Sequence, residues 1–549
     1  VIIPPARIKN TVYPPYGAMY IASALRQKGY NPKILNIDIE RIENREVIER
    51  VRQTDPKYIG FSGIVAPTYK YIKDLSIELK KSFPDKIQIL GGGLSSAAGP
   101  ILKNTSIDIV VQGEGDITIS ELLDCLENKG ELKNIAGIYY KVGNSCVYTG
   151  PRGLIRNLDT LPYPAFDLVD LNRYMPDGVE FIHLFTKKIK DKRIYDPKRK
   201  KKMITIPTSR GCFSECSFCF RAYKGLRVHS MKYVFDFIEY CVKEFDVGFF
   251  TFGDECFAPN KKRNWDFIEE YKRRNLNIIF RILGMRVDTV DKEILQAYKE
   301  IGCWMIEYGF ESGSQKMLNI IDKRTTVEQN SKVAIWTKEA GIYTSPTLVL
   351  GMPGENNDTI RESINFLKSL NLDFKQYQWT YALPIPGSHL YEFAKTTGII
   401  ENEDEYLSSL TGKFAEAGTF NVNLTDEPDE VVAGWGEKVN KEVDNYYLKR
   451  KYKNQLIAKF IQLLMKIKLH YRKKDLFILI TQKMKIIFNS IFNNKKETVI
   501  PKKPVQSNKK KSINIEEILK EFDSSSINRE MSVKKINKKL QDRRIGFYG

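Results

Sequence analysis

The sequence predicts an α/β protein: an N-terminal doubly wound, Rossmann-like sheet, then a partial, TIM-like (β/α)6 barrel, then a basic extension that is mainly helical or disordered. Three observations carry this. Over residues 1–150, short apolar runs alternate with amphipathic stretches. From Met203 a strand-then-helix rhythm repeats six times. Charge is also segregated: the 549 residues carry a net +20, and residues 451–549 hold 25 Lys or Arg against 8 Asp or Glu, so the first 450 residues are nearly neutral.

In the first segment, residues 1–3, 33–37, 58–62, 87–90 and 107–111 read as strands, with helical patterns such as 18–28 and 69–83 between them. The chain opens on Val1 already inside a strand-like run, so further residues are expected ahead of it. Ligands of open parallel sheets sit at the carboxyl ends of strands, where glycine lets a bulky group approach the backbone. Phe61-Ser62-Gly63, Gly91-Gly92-Gly93 and Gly113-Glu114-Gly115 fall there, and Pro14-Pro15-Tyr16-Gly17 precedes the first helix. None is a GxGxxG fingerprint, and each alone reads as readily as a tight turn.

Residues 151–202 form a connector. Its basic run, 187–202, is expected to be a solvated excursion; it lacks the interleaved aromatics that would stack bases. The barrel strands are expected at 203–208, 248–252, 277–283, 303–309, 345–350 and 374–381, giving a barrel over 203–400 with its site at the strands' carboxyl ends. Residues 401–450 are expected to cap it. Within 454–493, lysines interrupt every apolar run, so no crossing span is expected; a basic amphipathic helix lying on an anionic membrane and a helix packed on the protein body both fit. Beyond Lys495, Pro, Ser, Asn and Lys predict disorder.

Just after the first barrel strand, Arg210 to Phe220 reads RGCFSECSFCF and places Cys212, Cys216 and Cys219 in a CxxxCxxC spacing. Three thiolates can hold three irons of a cubane cluster and leave the fourth open. A structural zinc site needs a fourth ligand, and only His229 lies near. Eight cysteines in the whole chain argue against a disulfide framework and for a reducing, cytoplasmic setting.

With Arg-Gly before the first Cys and Phe218 just before the third, this stretch resembles the signature of the radical S-adenosylmethionine enzymes. The resemblance implies a [4Fe-4S] cluster on the three cysteines, with S-adenosylmethionine on its open iron. It also implies cofactor contacts at later strand ends: Gly253, Asp254 and Glu255 near the methionine ammonium, Arg281 and Arg286 with its carboxylate, Glu311 near the ribose, and Gly351 and Pro353 beside the adenine. The upstream module resembles the cobalamin-binding domain that precedes many such barrels, through Pro14 to Gly17, the Gly-Gly strand end and DIVVQGEG at 108–115. That implies cobalamin contacts at Pro15, Gly17, Ser62, Gly63, Gly91, Gly92, Gly93, Gly113 and Glu114. No His precedes His183, so this module offers cobalt no lower axial imidazole.

The resemblance implies a radical enzyme that methylates an unactivated carbon through methylcobalamin. A ring-forming or rearranging enzyme like the anaerobic cyclase is one alternative; a non-catalytic iron-sulfur electron-transfer or scaffold protein is another. The implied partners are a small-molecule or lipid-like substrate and an external one-electron donor of flavodoxin or ferredoxin type. Nucleic acid is not expected, and the location expected is cytoplasmic, with peripheral contact at the inner membrane face.

Overall fold

A computed structural model describes residues 1–5, 13–143, 145–186, 191–221, 225–373, 375–412 and 418–451. The helix expected over 454–493 and the tail lie outside these residues. Among the described residues, no helix is long and apolar enough to cross a membrane.

The N-terminal module runs β1 (Ile2–Ile3), α1 (Tyr16–Gln27), β2 (Leu35–Asn36), α2 (Ile37–Glu40), α3 (Asn44–Thr54), β3 (Tyr58–Ser62), α4 (Tyr69–Ser82), β4 (Ile87–Gly91), α5 (Ala98–Asn104), β5 (Ile109–Val111), α6 (Gly115–Glu127), β6 (Ile138–Val142) and β7 (Ser145–Tyr148). Its seven strands lie in the order β2-β1-β3-β4-β5-β6-β7, the first five parallel. Two features differ from the sequence reading. The strand expected over 33–37 stops at Asn36, whose side chain accepts the Ile39 amide and caps α2 instead. An antiparallel hairpin, β6–β7, extends the sheet and stacks Tyr139 on Tyr148 at 4.2 Å; two short polar strands give weak periodicity.

After α7 (Gly178–Phe185) come β8 (Lys202–Ile206), the short pair β9 (Ser209–Arg210) and β10 (Arg227–Val228), α8 (Met231–Phe245), β11 (Val247–Gly253), α9 (Lys261–Arg274), β12 (Ile279–Met285), α10 (Lys292–Glu300), β13 (Cys303–Glu311), α11 (Gln315–Ile320), α12 (Val327–Glu339), β14 (Thr347–Leu350), α13 (Asn357–Ser369) and β15 (Gln378–Tyr381). The six long strands form one parallel sheet in sequence order, β8 and β15 at its edges: the expected half-barrel. Alternation decides its layers. Phe250, Phe252, Phe280 and Ile282 enter the core under the outer helices, each fully buried aromatic contributing about 2 kcal/mol or more.

Of the basic run, residues 187–190 lie outside the described residues; in the rest, Lys192, Lys198, Lys200 and Lys201 are exposed as expected, while Arg193 and Arg199 dock on the barrel. Arg193 chelates Asp191 and donates to the Lys299 carbonyl, and Arg199 is buried over the Phe249 ring with Asn277 as partner. These arginines satisfy carbonyls at the barrel's lower rim. After α14 (His389–Thr396), α15 (Glu403–Ser409) packs back on the N-terminal module, where Asp404 pairs with Lys73 at 2.6 Å and Leu407 and Leu410 join its core. Helix α16 (Asp429–Lys451) lies on β15 and α13, with Tyr381 Oη donating to the Val432 carbonyl.

Candidate active site at the barrel mouth

The loop leaving β8 is fixed before the first cysteine is reached. The Asp254 carboxylate, from the end of β11, accepts four hydrogen bonds of 2.7–2.9 Å from the amides and hydroxyls of Thr208 and Ser209. Burial pushes its carboxyl up to about 6 despite those donors. Through these bonds Asp254 holds the start of the cysteine loop, and its Oδ2 accepts one of the four.

Cys212, Cys216 and Cys219 are free thiols, half-buried, buried and exposed respectively. The loop is pinned on several sides. Arg286 reaches the Ser214 hydroxyl and lies 4.9 Å over the Phe213 ring; Arg221 donates to the Ser214 carbonyl at 2.7 Å. Ser217 is bracketed by the Ile321 carbonyl and the Leu390 amide, while Phe218 packs on the apolar cluster of α11 and α14. Cys256, fully buried, donates its thiol to the Ala258 carbonyl at 3.7 Å, and its proximity lowers the Cys212 thiol to about 5. Among the described residues no three metal-ligating side chains converge to ligand distances. The donor set still fits an iron-sulfur cluster by its chemistry: three free thiols on one short loop at a barrel mouth.

The other strand ends supply charge. Glu311 closes β13 with φ +62°, a left-handed backbone for a non-glycine residue. Its carboxylate pairs with Lys323 at 2.7 Å, both nearly buried, and Lys323 is held charged chiefly by Glu311 against the desolvation that opposes it. A Cβ at Gly309 would lie 2.2 Å from Glu311 Oε1 and 3.1 Å from Lys323 Nζ, so glycine is what leaves the pair its room. Lys323 escaped the sequence reading; the signal was a carboxylate in need of a cation twelve residues on, across α11. At the end of β14, the Gly351 amide donates to Glu355 at 2.6 Å, closing the turn that carries Pro353, and burial raises Glu355 to about 7. Glu255, solvent-exposed near Cys212, has its carboxyl raised to about 7 by desolvation, Cys212 and Asp254. Gly253 ends β11 against Thr205 and Tyr13. Arg281, expected at a strand end, sits instead in mid-strand inside the lumen, with Nε on Thr251 Oγ1 at 2.9 Å.

The N-terminal sheet meets this mouth through its glycine ends. Phe220, next after Cys219, is wedged between Gly93 and Gly387: a Cβ at either would come within 3.1 Å of its ring. Gly92 adopts φ +90°, and the Leu94 amide donates to the Gly63 carbonyl, joining two of the glycine loops. Behind them a cavity of about 900 Å³ opens between the sheet and α1 and α6, lined by Gly17, Ser62, Gly91, Gly92 and Gly113 among others. That glycine-lined slot fits the bulky nucleotide tail of a cobalamin. Pro15, buried, caps α1 beside it. Glu114 is used differently from the expectation. It is 4% exposed, pairs with Arg210 at 2.9 Å and Arg227 at 2.7 Å, and accepts the Ile155 amide.

Two family models match the chain: the radical SAM superfamily over residues 206–367 and the B12 binding domain over residues 9–123. An uncharacterized methyltransferase of Pyrococcus horikoshii is 29% identical over 410 residues, covering 73% of this chain and 83% of that protein. The anaerobic magnesium-protoporphyrin IX monomethyl ester cyclase of Rubrivivax gelatinosus is 28% identical over 389 residues, 69% of this chain and 66% of that one. In fold, the chain is similar to the radical S-adenosylmethionine methyltransferase TsrM of Kitasatospora setae, with a TM-score of 0.58 at 17% identity, over 73% of this chain and 76% of that one.

Proposed function

Residues 206–367 belong to the radical SAM superfamily and residues 9–123 are a B12 binding domain, and from that premise we propose that the chain methylates an unactivated carbon of its substrate. The observation that carries this is Phe220 wedged against Gly93, which brings the cysteine loop onto the glycine ends of the B12-binding sheet. The cofactors of the two domains are a [4Fe-4S] cluster, S-adenosylmethionine and cobalamin; when bound they supply one electron, a 5'-deoxyadenosyl radical and a transferable methyl group.

The chain's own part is to hold, orient and exclude water. Cys212, Cys216 and Cys219 would hold the cluster, on a loop fixed by Asp254, Arg286 and Ser217. Lys323, already charged and buried beside Glu311, suits the carboxylate of the methionine moiety. The turn from Gly351 to Glu355 and the strained Glu311 backbone fix the far rim, and the slot behind Gly92 would take the cobalamin tail. An external one-electron donor would reach the loop from its open side, where Phe213 and Cys219 are exposed. Ring formation is kept as a second reading by the similarity to the cyclase of Rubrivivax gelatinosus.

The test is anaerobic incubation of the reconstituted, reduced protein with methyl-labelled S-adenosylmethionine and cell extract. Methyl transfer predicts 5'-deoxyadenosine and label in a non-protein product. Deoxyadenosine without transferred label favours the cyclase reading, and no deoxyadenosine with iron bound sinks the radical reading.

A further inference from the structure

We propose that the floor of the barrel lumen is an oxyanion subsite in which Arg281 holds a carboxylate or phosphate group of the substrate. The proposal rests on the reading above, in that the substrate is taken to enter this lumen. Its starting point is strand parity. Phe280 and Ile282 point outward into the helix layer, so Arg281 points inward. Parallel register then sets Arg281 beside Thr251, and Thr251 beside Thr205, in one row across three strands.

Below that row the lumen is plugged. Phe181 and Ile182 of α7 pack on Met203, Phe249 and Met305 and close the lower end. Arg281 rests on this plug, 4.7 Å from the centre of the Phe181 ring and 5.4 Å from that of Phe185. It is 4% exposed, and among the described residues its single hydrogen bond runs from Nε to Thr251 Oγ1. Among the described residues, no carboxylate lies within ion-pair distance of it. The ring faces stabilise the cation but do not neutralise it.

Glu307 and Tyr13 act on Arg281 electrostatically, favouring its charged form without an ion pair to it among the described residues, and each takes part in a further interaction. A guanidinium taken out of water without a counter-ion is strongly unfavourable, and such groups are normally paired. A second group in the row has the same need: Thr205 Oγ1 is buried with no hydrogen-bond partner. Two free Nη groups and one orphan hydroxyl are the donor set that a planar carboxylate or a phosphate completes. Glycine at 253 spares Thr205 a clash, since a Cβ there would come 2.7 Å from its Cγ2.

Thermal unfolding of the reconstituted holoprotein, titrated with inorganic phosphate and separately with acetate against chloride at fixed ionic strength, tests this. A saturable rise in Tm with at least one of the two oxyanions is expected, reduced in Arg281→Lys and absent in Arg281→Met. No rise in the wild type with either anion, or an equal rise in Arg281→Met, overturns the proposal. The shift is read without turnover, so it stands or falls separately from deoxyadenosine formation. Should Arg281→Met fail to fold, the charge of the methyl-labelled product decides: retention on an anion exchanger at neutral pH supports the subsite, and a neutral or cationic product overturns it.

Discussion

Arg210 and Asp116 meet in a two-pronged ion pair, Nη1 to Oδ2 at 2.8 Å and Nη2 to Oδ1 at 3.0 Å, across the contact between the two modules. Arg210 stands two residues before Cys212, and Asp116 lies in the first turn of α6 at the rim of the cavity behind Gly92. With Glu114 and Arg227 they form a buried, charge-balanced quartet. The cysteine loop and the glycine loop are thereby positioned as one body.

Removing one partner of such a quartet leaves a buried charge short of its counter-ion. Asp116→Asn should destabilise the apoprotein by about 3 kcal/mol in urea unfolding, and Arg210→Met by at least as much. A change below about 0.5 kcal/mol would place the pair among exposed bridges that contribute little.

Gly309→Ala places a methyl against Glu311 Oε1 and Lys323 Nζ. S-adenosylmethionine affinity, measured anaerobically by equilibrium dialysis, should fall about tenfold, equivalent to 1.4 kcal/mol. Lys323→Met should weaken it at least as much, with iron content kept; unchanged affinity in both variants would remove Lys323 from the cofactor site.

His229 adds a pH dependence. Burial lowers it to about 4, although its Asp159 partner at 2.9 Å pulls the other way, and it stacks on Tyr233 at 3.9 Å. A His depressed in the folded state takes up its proton more readily when unfolded, so its contribution is present above about 6.5 and is lost as pH falls through the interval to about 4. Roughly 3 kcal/mol is at stake. The stability difference between wild type and His229→Gln should therefore shrink from pH 7 to pH 4 in urea unfolding; a constant difference would refute the neutral, buried imidazole.

At Gly93, a valine would press on the Ile64 carbonyl and the Phe220 ring. Gly93→Val should lower hydroxocobalamin retention on desalting at least tenfold while iron incorporation on the three cysteines persists. Equal loss of both would mean a folding defect, which circular dichroism of the apoprotein would report.

Much of this architecture was legible in the chain because it is local. Both sheets follow from period and from glycine at strand ends, and the Cys212, Cys216 and Cys219 loop is read from spacing alone, since neighbours in sequence need no fold to be brought together. The identity of Gly17, Ser62, Gly91, Gly92 and Gly113 as a lining was likewise available, because a parallel sheet sets all its strand ends on one edge.

What only the tertiary structure decided is where each charge is spent. Asp254 and Glu114, read as ligand contacts, are engaged by Thr208, Ser209, Arg210 and Arg227, partners 45 to 113 residues away. Lys323 became visible only beside Glu311. Arg281, read as a strand-end residue, is carried into the lumen by strand parity and set on a plug from α7. The physical reason is common to all of them. A buried charge takes whichever counter-ion or donor the packing brings within hydrogen-bond reach, and that choice is made across strands and modules, where sequence distance holds no information.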